Sequence, residues 1–133
     1  MKACQLFIRL FILSVVIFSF RPADLYGNTA VSIEQAEKML REGNQRFASG
    51  KMKYPNLDDS RLRQVSSGQD PWATVITCSD SRVPVEQVFD AGLGDIFVIR
   101  VAGNVCDVDE IGSIEYGVDH LATPVLVVLG HTH

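Results

Sequence analysis

Within the nine residues Ile76 to Pro84, "ITCSDSRVP", a β-rich run ends in Cys78, and Asp80 and Arg82 follow at every second position. A thiol placed beside a carboxylate and a guanidinium suggests either metal ligation or nucleophilic catalysis. The nucleophile reading would place Cys78 in a phosphate cradle lined by backbone N–H groups and an arginine. Asp80 would put a negative charge in that cradle, which disfavours the reading. The other chemistry-bearing cluster is "GHTH", Gly130 to His133, where His131 follows a third apolar run. A thiolate and a neutral imidazole are the usual sulfur and nitrogen ligands of zinc, so Cys78 and His131 outline a metal site if the fold joins them across 53 positions. The alternative for the thiols is a Cys78–Cys106 disulfide.

Three short runs supply the means of joining them. "WATVITC" (Trp72 to Cys78), "IFVIR" (Ile96 to Arg100) and "PVLVVLG" (Pro124 to Gly130) are apolar and lack alternation, as expected of parallel strands covered on both faces. "PVEQVF" (Pro84 to Phe89) offers a short helix between the first two, with Pro84 suited to its first turn. Between the second and third, Ile111, Ile114, Val118 and Leu121 recur at helical spacing. The order β-α-β-α-β gives an α/β fold with a parallel β-sheet flanked by helices. Ligands of such sheets bind beyond the carboxyl ends of the strands, where Cys78, the loop "RVAGN" (Arg100 to Asn104) and His131 should meet.

Upstream, Ser32 to Ser49 reads as an N-terminal amphipathic helix, capped by Ser32 with Gln35 three residues on and carrying Ala36, Met39, Leu40 and Phe47 on one side. Residues 51–71 are polar and broken by Pro55, Gly68 and Pro71, with room for a short helix at Leu57 to Val65. The first 27 residues have basic Lys2 and Arg9 ahead of an uncharged apolar run, Leu10 to Phe20. That run is short of the roughly 20 residues needed to span a bilayer and has the layout of an export signal. The expectation is a signal peptide over 1–27, with a poorly marked cleavage site, and a domain over 28–133 that is periplasmic or secreted. Membrane contact would come only through an uncleaved N-terminal segment.

Removing residues 1–27 takes away Lys2, Arg9, Arg21 and Asp24 and leaves 9 basic against 15 acidic residues, so nucleic acid is an unsuitable partner. Of the three cysteines, Cys78 and Cys106 would remain.

"CSDSRVP" (Cys78 to Pro84), "RVAGN" (Arg100 to Asn104), "GSIEYGVDHL" (Gly112 to Leu121) and "VLGHTH" (Val128 to His133) resemble, in order and spacing, the signature blocks of β-class carbonic anhydrases. "LREGNQRFASGK" (Leu40 to Lys51) is similar to that family's leading helix. The resemblance implies reversible hydration of carbon dioxide to bicarbonate and a proton. It also implies a homodimer or higher even homo-oligomer, and Zn²⁺ held by cysteine, histidine and a second cysteine. Cys78 and His131 match two zinc ligands. Asp80 and Arg82 match the family's aspartate and arginine dyad, in which the aspartate either orients the attacking group or occupies a position on the metal, and the arginine draws it away. The second cysteine of the pattern would fall at position 134, so the resemblance implies that the domain is C-terminally incomplete at His133. Two alternatives stay open: a relative hydrolysing CS₂ or COS on the same site, and a noncatalytic zinc-binding or dimerisation module, which would not need Asp80 and Arg82. Gly103 and Asn104 read as a tight turn. Tyr116, His120 and His133 could carry protons, with nothing in the sequence to fix their distance from the site.

Overall fold

The computed structural model describes residues 30–132. The export signal assigned to residues 1–27 and the proton-carrying candidate His133 lie outside the described residues.

Helix α1, Ile33–Ala48, begins at the expected cap: Ser32 Oγ accepts from the Gln35 N–H at 3.3 Å, and Gln35 Oε1 accepts from the Ser32 N–H at 2.9 Å. Its buried stripe is Ala36, Leu40 and Gly43, whereas Met39 and Phe47 of the expected apolar side are exposed. Gly43 takes the place of a larger residue because α1 meets the chain just after α3 (Val85–Val88) there. A Cβ on Gly43 would lie 1.8 Å from the Phe89 carbonyl oxygen. Helix α2, Asp59–Val65, is capped by the Asp58 carboxylate and buries no residue.

Strands β1 (Ala73–Cys78), β2 (Ile96–Val101) and β3 (Leu126–Leu129) form one parallel sheet in the order β2-β1-β3. The central strand β1 is buried along Ala73 to Thr77, and β-branched Val75, Ile76 and Thr77 suit a strand packed on both faces. The outer strand β3 departs from the expectation of double coverage. Val127 and Leu129 pack against the core, while Leu126 and Val128 are exposed on the other face. A continuous apolar run does not report which of its two faces is covered.

Between β2 and β3 the chain makes a 3-10 turn (Ala102–Asn104), helix α4 (Val108–Glu115) and a π turn (Tyr116–His120). Asp107 and Glu110 form a capping box at the start of α4. The predicted stripe is only partly covered: Leu121 is buried, while Ile111 and Val118 are exposed. Two buried carboxylates tie the polar segment of residues 51–57 to this frame. Asp90 accepts from the Lys53 and Tyr54 N–H groups and from Arg46, and Asp95 accepts from Asn56, Arg61 and the Gly92 N–H. Among the described residues, no helix is long and apolar enough to cross a membrane.

Candidate metal centre

The parallel register decides which side chains meet. β1 and β3 pair through Thr77 and Leu129, and the Thr77 hydroxyl donates to the Leu129 carbonyl at 2.9 Å, fastening the end of β3 to the end of β1. Cys78 is the next residue of one strand, and His131 lies two residues beyond the other. Both therefore emerge at the carboxyl edge of the sheet, as the strand logic requires.

The loop after β1 is closed from within. Asp80 Oδ1 accepts from the Arg82 N–H and Nε, both at 2.9 Å, Oδ2 accepts from Nη2 at 2.7 Å, and the Asp80 carbonyl accepts from the Val83 N–H at 3.1 Å. This bidentate fork-on-carboxylate contact is the strong form of an ion pair. The Arg82 side chain and then its N–H hold the Asp80 carboxyl well below the usual carboxylate range, while the guanidinium is raised in turn by Asp80. The pair is open to water on the arginine side, so salt screens it in part.

His131 reaches the same place from β3. Its Nε2 is 3.8 Å from Asp80 Oδ2, and its Nδ1 lies 3.2 Å from the Thr132 carbonyl. The imidazole hydrogen-bonds the Cys78 thiolate, as do the backbone N–H groups of Asp80 and Gly103, and together they bring the thiol down to about 7. His131 is raised reciprocally, first by Cys78. Gly103 turns the chain just after β2 with a φ of 75°, in the left-handed region that glycine adopts freely.

The donor chemistry fits zinc: a sulfur that ionises near neutrality, an imidazole beside it and a carboxylate within reach. Among the described residues, no three His, Cys, Asp or Glu side chains converge closely enough to hold a metal ion. Arg82 keeps Asp80 engaged instead. The disulfide alternative is not realised, since Cys78 and the exposed Cys106 are both free.

A family model described as carbonic anhydrase matches residues 73–133. "Carbonic anhydrase 2" of Mycobacterium tuberculosis is 48% identical over 96 residues, covering 72% of this chain and 46% of that protein. The β-carbonic anhydrase CcaA superimposes with a TM-score of 0.54 at 34% identity, over 73% of this chain and 48% of its own. One of two tetrameric β-carbonic anhydrases from Sordaria macrospora gives 0.53 at 30% identity, over 69% and 47%. The chain belongs to the β-carbonic anhydrase family. It spans about half the length of the curated relatives it matches.

One residue that the sequence places at this β-carbonic anhydrase edge, within the loop "RVAGN", had no role assigned to it from the sequence. Arg100, near the end of β2, donates from Nε to the Cys78 carbonyl at 3.2 Å and from Nη2 to the Asp80 carbonyl at 2.6 Å. Its signal was a lone charge at the end of the apolar strand Ile96–Val101. Tyr116 and His120 stack on one another at 4.7 Å, and Tyr116 also contacts Phe97 at 5.8 Å, so their ring contacts are with each other and with β2.

Proposed function

We propose that the protein catalyses the zinc-dependent, reversible hydration of carbon dioxide to bicarbonate and a proton. The observation that carries this reading is that Cys78, His131 and the Asp80–Arg82 pair lie together at one sheet edge, with His131 Nε2 3.8 Å from Asp80 Oδ2. Cys78 and His131 would hold the metal, and Asp80 could join them on release by Arg82. When bound, zinc supplies Lewis acidity that makes water a nucleophile near neutral pH.

The chain's own residues do the rest. Arg82 keeps Asp80 ionised, so its carboxylate can accept a hydrogen bond from the attacking water and orient it toward carbon dioxide. The His131 imidazole and the two backbone N–H groups hold Cys78 as thiolate, the form in which sulfur ligates a metal. In the overall balance, carbon dioxide and water give bicarbonate and one proton, which leaves to solvent buffer.

The exposed apolar side chains Val108 and Ile111 on α4 and Leu126 and Val128 on β3 support a homodimer or higher even homo-oligomer as the working form. The tetrameric enzymes of Sordaria macrospora lend this analogy. Export to the periplasm or medium rests on the basic and apolar pattern of residues 1–27.

The test uses the full reading frame, purified with its metal, in stopped-flow hydration with parallel zinc analysis. The wild type should hydrate carbon dioxide, and Asp80→Asn should keep zinc while losing most turnover. A zinc-loaded wild type without hydration overturns the reading. Undiminished turnover in the variant removes Asp80 from it.

A further inference from the structure

Arg100 is opposite Thr77 in the β1–β2 register, one pair before the end of the ladder. Its guanidinium extends past the strand end and takes two carbonyl oxygens at once, those of Cys78 and Asp80. These belong to the peptide units on either side of the Ser79–Asp80 peptide. That middle peptide carries the Asp80 N–H, one of the groups that lower the Cys78 thiol. Arg100 thus brackets it from both sides without touching the thiol or the carboxylate.

Other ties on this loop act elsewhere. The Ser79 N–H donates to the Val101 carbonyl at 3.1 Å, which holds the loop entrance, and the Val83 N–H closes the turn onto the Asp80 carbonyl. Arg82 holds the Asp80 carboxylate, so a movement of that side chain away from Arg82 would relax its hold on the turn. A planar fork with several directed donors can span two carbonyls, whereas a lysine ammonium acts as a single point charge on a flexible stem.

We propose that Arg100 is a positioning residue that clamps the main chain of the Cys78–Asp80 loop, so that the Asp80 carboxylate can change partners while its backbone stays fixed. The catalytic part of this inference rests on the carbonic anhydrase reading above, whereas the clamp itself does not. Its loss should loosen the loop, leave the sheet intact and lower turnover more than substrate binding.

The experiment compares wild type, Arg100→Ala and Arg100→Lys in the zinc-loaded, full-length protein. Amide hydrogen exchange resolved by residue should be about tenfold faster at Arg82 and Val83 in Arg100→Ala, the loss expected for a hydrogen bond to a charged group. The strand amides Val75 to Thr77 should keep wild-type protection. Arg100→Lys should recover only part of the difference. In parallel, kcat should fall about tenfold, as is common when a group supporting a metal-site ligand is removed, with KM little changed. Should Arg100→Ala not fold, Arg100→Lys carries the same comparison. Unchanged protection at Arg82 and Val83 overturns the clamp, and so does a loss spread evenly over the strand amides. Exchange is read independently of hydration, so a protein inactive on carbon dioxide would defeat the proposed function and still decide the clamp.

Discussion

Replacing Gly43 by alanine tests whether α1 is seated on the chain after α3 as tightly as the structure shows. A Cβ there would lie 1.8 Å from the Phe89 carbonyl oxygen and 2.7 Å from its carbon, both main-chain atoms that cannot swing aside. Restoring ordinary van der Waals contact requires the helix and the chain to part by about 1.5 Å. That movement also strains the Asn44 Nδ2 to Val88 carbonyl hydrogen bond, 3.2 Å long in the native packing. Overpacking of this kind costs about 1–3 kcal/mol and the weakened hydrogen bond about 1, against a gain of about 1 from replacing a mid-helix glycine. The net expectation is a loss of about 2 kcal/mol. Gly112→Ala in α4 is the control, since its Cβ would meet nothing within 4 Å and the propensity gain of up to about 1 kcal/mol should appear alone. Urea unfolding followed by circular dichroism gives both numbers as midpoint shifts at constant slope. If Gly43→Ala is as stable as Gly112→Ala, the close approach of α1 is wrong.

In metal-free protein, alkylation of Cys78 followed by peptide mass spectrometry should show a midpoint near pH 7, and His131→Ala should move it upward toward an ordinary thiol; an unmoved midpoint would refute the pairing. Burial alone would raise the Asp90 carboxyl, and hydrogen bonds from Arg46 and from the Lys53 and Tyr54 N–H groups overcome it, leaving it lowered. The resulting stability is fully present above the unfolded value of about 4 and is lost as pH falls through the folded one. Asp90→Asn should therefore cost about 2–3 kcal/mol at pH 7, with Arg46 a quarter exposed and able to recover some hydration, and the gap to wild type should close in acid; a gap constant from pH 7 to pH 3 would contradict this. Residues 1–30 fused to a reporter active only outside the cytoplasm should export it, and arginines at Leu13 and Val16 should block export; a native fusion that stays inside refutes the signal.

What could be read in the sequence was whatever depends on neighbours along the chain or on one topological rule. The Ser32–Gln35 capping box is local, and so was found. The meeting of Cys78 and His131 followed from parallel strands sharing a carboxyl edge. Arg100 was placed at that edge but its role was missed, because the role depends on β2 lying beside β1 with Thr77 opposite it, and neither order nor register is encoded in an apolar run. The burial of Asp90 was equally illegible. Its partners Arg46 and Lys53 lie 44 and 37 residues away, and its φ of 45° belongs to no pattern that composition reveals. The exposed faces of α4 and β3 share that cause, since periodicity marks an apolar face without saying what covers it.

The pairing of the central strand with β3 also sets a clock during synthesis. Cys78 leaves the ribosome 53 residues before His131, which at about 5–20 residues per second is a delay of roughly 3–10 s. Throughout that interval the strongest influence on the thiol, the His131 imidazole, does not yet exist. The nascent sulfur is therefore closer to an ordinary, mostly protonated cysteine and reacts slowly with passing oxidants or disulfides. Its nucleophilic form is favoured most once β3 docks and brings His131 beside it, so the fold delays the full reactivity of this sulfur until that partner has arrived.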